Sequence, residues 1–214
     1  MYLYVPIDLF SRYVVGSMIA GTENSPLACR FVGICAAIHL VAAGSLTIHQ
    51  NRGSAMTSRN FVDLLAELKI DASHSRPRVS NDNAFSEAHF KTLKTQPDYP
   101  SRFTDEAHAR AWCGEFFDWY NDEHQLSGLS GHIPADVFHD RAAAITAIKQ
   151  AALDDAYRCH PERFVDGSPR AKAPPERVSI NSLPASVVTL PHVLGSNEIA
   201  SRPQQTDEKM TVHS

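Results

Sequence analysis

The chain has 214 residues, 43% hydrophobic and 21% charged, enough for one folded core of about 100 to 150 residues with appendages. A formal charge of −4 excludes a protein that is basic throughout, but the charge is uneven: residues 1–44 are neutral, residues 45–103 carry +2 and residues 104–214 carry −6. Four cysteines (Cys29, Cys35, Cys113, Cys159) form no Cys-x-x-Cys pair, and no secretory signal opens the chain, so a reducing cytoplasm is the expected location. The longest apolar run, Phe31 to Gly44, has 14 residues and includes His39. That is short of the roughly 18 a membrane-spanning helix needs, and no membrane segment is expected.

In chain order, MYLYVPIDLFSRYVVGSMIAG is rich in Tyr, Val and Ile and breaks once, at Asp8 to Arg12. It predicts two strands joined in a hairpin. Asn24 or Ser25 can cap a helix running to about residue 42, and Leu46 to His49 predicts a short buried strand. Ser58 can cap a second helix, with Phe61, Leu64, Leu65 and Leu68 on its inward face at i, i+3, i+4 and i+7.

After a short strand near Ile70 to Ser73, HSRPRVSNDN is polar and holds Pro77, which marks a loop. From about Asn83 to Lys94, Glu87, Lys91 and Lys94 share one helical face and Phe90 and Leu93 another. Thr104, followed by Asp105 and Glu106, marks a further helix start with an aromatic stripe of Trp112, Phe116 and Tyr120. An alanine-rich helix is expected over about 137–158. Residues 170–214 gather Pro, Ser, Arg and Lys and read as an extended or disordered tail.

Three stretches, YLYVPIDLFSRYVVG, LTIHQNRGSAMTS and HSRPRVSNDNAFSEAHFKTLK, together with WYNDEHQLSGLSGHIPADV, resemble the catalytic core of insertion-sequence transposases of the retroviral-integrase type, in order over residues 2–165. The resemblance implies an α/β, RNase H-like fold: a mixed sheet flanked by helices. It divides the chain into a partial core (1–125), a helical extension (126–169) and the tail (170–214).

It also implies metal-dependent cleavage and joining of DNA, with Mg²⁺ or Mn²⁺ held by three acids. Two such ions about 3.5–4 Å apart stabilise the attacking and leaving oxygens of a phosphodiester, and carboxylates supply the charge that holds them. The third acid corresponds to Glu87 in NAFSEAHFKTLK. The second lies before it across 35 intervening residues, where this chain has Asn51 in place of an aspartate. An amide offers one oxygen but no charge, so metal affinity and rate are expected to fall. The first acid would lie on a strand preceding the hairpin, before Met1, so the core reads as truncated at its N-terminus with its first strand missing. An aspartate at the position of Asp8 is structural in this family.

Loss of a central strand is expected to leave unpaired backbone groups in the sheet. Arg52, Arg76, Arg78, Lys91 and Lys94 are the expected DNA contacts, through phosphates and with little sequence information. Histidines His49, His74 and His89 share no ligand spacing and are expected in the core or on the surface. The implied partners are transposon-end and target DNA and further copies of the chain or intact transposases. A non-catalytic DNA-binding or assembly partner that inhibits intact transposases is the alternative.

Overall fold

Tyr2–Tyr4 (β1) and Met18–Ala20 (β2) pair antiparallel in a computed structural model that describes residues 1–180 apart from Arg52 and Arg78. Between them the hairpin closes through an Ile7–Val14 bridge and a turn at Asp8 to Arg12. Asp8 organises that turn: its Oδ1 accepts the Ser11 N–H at 2.7 Å and the Ser11 hydroxyl, and its carbonyl accepts the Arg12 N–H. Arg12 takes a left-handed conformation (φ 65°), and its guanidinium lies 3.7 Å from the centre of the Phe85 ring.

Ser25–Ile38 (α1) begins where expected, with Asn24 Oδ1 accepting the Leu27 N–H at 3.0 Å, but stops short of residue 42. The cause is a left-handed residue, Leu40 (φ 50°), which lets the Leu40 N–H reach Ala37 O and the Val41 N–H reach Ala36 O. This pair of bonds is the Schellman closure, made without its usual glycine. The same device ends Arg59–Glu67 (α2), capped at its start by Ser58: Lys69 (φ 53°) turns the chain, Lys69 N–H donates to Ala66 O and Ile70 N–H to Leu65 O.

Thr47–Gln50 (β3) and Asp71–His74 (β4) pair in parallel, in register Thr47 to Asp71 and Gln50 to His74, with α2 as the crossover. Ser80–Asn83 forms one 3₁₀ turn and leads into Ala84–Lys94 (α3). Glu106–Asp122 (α4) starts one residue later than Thr104 suggests, because Asp105 is the cap, its Oδ1 accepting the His108 N–H at 2.8 Å.

The single alanine-rich helix expected over 137–158 is instead two, Pro134–Phe138 (α5) and Ala142–Cys159 (α6). Asp140 sits between them at φ 56°, and the Arg141 N–H returns to Asp136 O, so the chain turns before the alanine run begins. Beyond α6, residues 169–173 run over its surface: Gln150 binds Pro169 O and the Ala171 N–H, and Ser130 donates to Ala173 O. The remainder of the expected tail, residues 181–214, lies outside the described residues.

Two cores result. Tyr4, Ala28, Phe31, Phe61, Leu65 and Ile70 pack where α1 and α2 meet β1 and β2, and Val14, Leu93, Cys113, Phe116, Phe117 and Tyr120 pack where α4 meets the hairpin and α3. Asn121 on α4 ties the second core to the hairpin by acting as a strand partner, accepting the Val14 N–H at 2.9 Å and donating to Val14 O at 3.1 Å. His89 belongs to this core, 3% exposed and stacked on Phe117.

Where one mixed sheet was expected, the described strands form two separate pairs, β1–β2 and β3–β4. Among the described residues no helix is long and apolar enough to cross a membrane.

Candidate functional site

A cavity of about 1170 Å³ lies between the two strand pairs, and the residues singled out from sequence gather at its wall. Asn51, directly after β3, lines it, as do Glu87, Lys91 and Lys94 on α3. Glu87 stands in the first turn of α3 and both lysines in the last, which is the order the helix dipole favours. All three are exposed, as is Asn51.

The Asn51 amide is engaged locally. Its Oδ1 accepts the Gly53 N–H at 3.0 Å, closing an Asx-type turn at the strand end. A side chain at position 53 would crowd that turn, since a Cβ there would stand 3.0 Å from Asn51 Oδ1 and 3.7 Å from Glu23 Oε1. Glu23 is thus a carboxylate beside the Asn51 turn that no motif announced.

A polar network fixes β3 against the start of α3. The Ser75 hydroxyl donates to Asn83 Oδ1 at 2.7 Å, and His49 sits between Ser73 and Ser75, with Nδ1 2.9 Å from Ser73 Oγ and Nε2 3.3 Å from Ser75 Oγ. With the Ser75 proton committed to Asn83, His49 donates from Nε2 and accepts at Nδ1. Burial lowers the pKa of His49, which favours this neutral form. The network sets the positions of Asn51 and Glu87 from either side, and its serines carried no recognisable spacing in the sequence.

Of the five expected DNA contacts, two are exposed side chains with no ion pair among the described residues. Lys91 and Lys94 project from α3, whereas Arg76 is bound to Asp82 through its backbone N–H at 2.7 Å, Nε at 3.2 Å and Nη2 at 3.1 Å. That pairing holds the Asp82 carboxyl below its ordinary pKa, through hydrogen bonds from the Arg76 side chain and then its backbone. Arg76 therefore braces the loop before α3, and its charge is already opposed. Arg52 and Arg78 lie outside the described residues.

The donor set does not fit a pair of divalent cations. The cavity brings Glu87 together with an amide whose oxygen already accepts a hydrogen bond, and one side of Asp8 is taken by the Ser11 donors. Among the described residues, no group of three or more His, Cys, Asp or Glu side chains stands together as metal ligands. Asp8 and Glu23 also line the cavity, but with Glu87 they form no such group, so the negative charge that two dications need is not assembled in one place.

The integrase core domain family matches this chain twice, over residues 1–80 and 68–134. The transposase for insertion sequence element IS904 of Lactococcus lactis subsp. lactis (strain IL1403) is 31% identical over 138 residues, 64% of this chain and 54% of that protein. The chain thus spans about half the length of the curated relative it matches. Among solved structures, a chain of the simian T-cell lymphotropic virus intasome superposes with a TM-score of 0.50 at 21% identity, over 63% of this chain and 47% of its own. The catalytic core domain of BIV integrase gives 0.44 at 18%, over 63% and 83%. The intasome likeness gives the fold, RNase H-like, and the two domain matches run together from residue 1 to residue 134. The chain belongs to the integrase core domain family, matched over residues 1–134, and is similar to an insertion-sequence transposase.

Proposed function

We propose that this chain is a DNA-binding integrase core in which metal-dependent cleavage and strand transfer are impaired. One observation carries the reading: at the cavity wall where Glu87 stands, position 51 is an amide, and its oxygen is held by the Gly53 N–H. Glu87 and Asn51 are the residues of the altered reaction site, and Mg²⁺ or Mn²⁺ its weakened cofactor. Lys91 and Lys94 supply phosphate contacts, with Arg52 and Arg78 proposed beside them on sequence grounds alone. Arg76 acts through Asp82 to hold the loop that leads into α3, the helix that carries Lys91 and Lys94. Residues 1–125 form the core and 126–169 a helical extension of it, acting on transposon-end and target DNA in the cytoplasm.

The same observation supports a second reading, that the chain is a non-catalytic partner of intact transposases, occupying DNA or an assembly without cutting.

The test uses a duplex bearing insertion-sequence ends, with Mg²⁺ or Mn²⁺. The expected result is salt-dependent binding without nicking or joining, and binding whose salt slope falls by about two when Lys91 and Lys94 are both changed to alanine. Efficient cleavage that disappears in Glu87→Ala overturns the impairment. Adding the chain to an active transposase separates the two readings: a drop in that enzyme's rate selects the partner role, and an unchanged rate removes it.

A further inference from the structure

Residues 104–214 carry −6, so cations in this part of the chain are expected to be neutralised by nearby acids. Two of them are: Arg141 pairs with Asp136 at 3.1 Å and Arg158 with Asp155 at 2.8 Å. Three others depart from this pattern. Lys149, Arg170 and Lys172 line one shallow hollow of about 630 Å³, formed by the turn before α5, the middle of α6 and the stretch that follows α6. No acidic side chain lines that hollow, and none of the three cations makes an ion pair among the described residues. Like charges gathered without a counter-charge repel one another, and an anion entering the hollow relieves the repulsion.

The backbone around the hollow is held in place. Ser127–Leu129 form a 3₁₀ turn that ends in two left-handed residues, Ser130 (φ 56°) and Gly131 (φ 74°). Lys149 Nζ donates to Gly131 O at 2.7 Å, which fixes one ammonium there and leaves it two further donors. Gln150 binds Pro169 O at 3.1 Å and the Ala171 N–H at 2.8 Å, and the Ser130 hydroxyl donates to Ala173 O at 2.8 Å. These bonds order the backbone that carries Arg170 and Lys172, although it belongs to no helix or strand, while both side chains stay exposed. The Ser127 hydroxyl, also on the hollow, is exposed as well. Fixed ammonium, guanidinium and hydroxyl donors with no carboxylate among them are the groups that contact phosphate oxygens.

We propose that Lys149, Arg170 and Lys172 form a second phosphate-backbone contact for duplex DNA, on the helical extension, in addition to the contacts of Lys91 and Lys94 on α3. The inference rests on the DNA-binding reading and extends its surface beyond the core. A contact of this kind carries little sequence information, requires no divalent cation and weakens steeply with salt.

Fluorescence anisotropy of a labelled duplex tests this, with the full chain, no divalent cation and salt varied from about 50 to 200 mM. Arg170→Gln combined with Lys172→Gln is expected to lower the salt slope by about two, and a further fall of about two is expected when Lys91→Ala and Lys94→Ala are added. Arg158→Gln with Arg163→Gln removes two charges from the same extension outside the hollow and is expected to leave the slope unchanged. An unchanged slope in the Arg170, Lys172 variant overturns the proposal, and the DNA-binding reading still stands if binding depends on Lys91 and Lys94. An equal fall in the Arg158, Arg163 variant also overturns it, since net charge and not the hollow would then set the slope. Wild type that binds no duplex at all overturns both. If the Arg170, Lys172 variant instead loses binding to phosphatidylserine vesicles with its duplex slope unchanged, the hollow faces a lipid surface and the proposal falls.

Discussion

Lowering the pH should weaken this fold through one side chain, His89. Its ring is 3% exposed, lies 5.7 Å from Phe117 in a near-parallel stack and meets Tyr120 edge-on at 4.5 Å. Among the described residues neither ring nitrogen has a hydrogen-bond partner. Burial, and secondarily the charge of His124, hold its pKa at about 4 rather than 6.5. The folded-state value lies below the unfolded one, so as pH falls the unfolded chain takes up the proton first. The neutral ring's full contribution is present above about 6.5 and is lost down to about 4, a difference worth about 3 kcal/mol. His89→Phe keeps an aromatic ring in the stack, cannot be protonated and removes two unpaired polar atoms. Urea denaturation at pH 7.5 and 4.5 should show the variant more stable by about 1 kcal/mol at the higher pH and less sensitive to acid by about 2.5 kcal/mol. Equal losses in wild type and variant between the two pH values would refute the reasoning.

Three further outcomes are expected from the same denaturation measurement at neutral pH. Asn121→Ala strips both partners from the buried backbone of Val14 and should cost about 2–3 kcal/mol, with faster hydrogen exchange in the hairpin. Phe61→Ala empties a fully buried position in the first core and should cost about 3–5 kcal/mol. Leu40→Gly should stabilise by about 0.5–1 kcal/mol, because Leu40 is 87% exposed and holds a left-handed conformation that glycine adopts without strain.

Much of this architecture was legible because local chemistry and tertiary structure agree. Asn24 and Ser58 cap the helices their positions suggested, and the Phe61, Leu65 stripe of α2 faces inward as its spacing required. Helix ends were less legible. Leu40 and Lys69 adopt left-handed conformations without the glycine that usually signals them, and Asp140 splits an apparently continuous helical run. The separation of β1–β2 from β3–β4 depends on which strands meet in space, which no short-range pattern encodes.

For the site, the ordered motifs brought Asn51, Glu87, Lys91 and Lys94 to the lining of one cavity, since a strand end and the helix that carries the other three are fixed by the fold. Arg76 read as a free cation because its partner Asp82 lies six residues away across an irregular loop. Ser75 and Asn83 were invisible for a similar reason: a network of small polar groups has no sequence period. Glu23 comes close to the Asn51 turn only through the placement of α1 relative to β3, a tertiary fact.

The account's central claim is that charge is missing at position 51 in the cavity that Glu87 also lines, and calorimetric titration of Mn²⁺ tests it most directly. Wild type, Asn51→Asp, and each combined with Glu87→Ala are compared in the absence of DNA. The account predicts that Asn51→Asp binds Mn²⁺ about tenfold or more tightly than wild type, a gain of at least about 1.4 kcal/mol that Glu87→Ala removes. Wild-type affinity equal to that of Asn51→Asp, or a gain indifferent to Glu87, would contradict it.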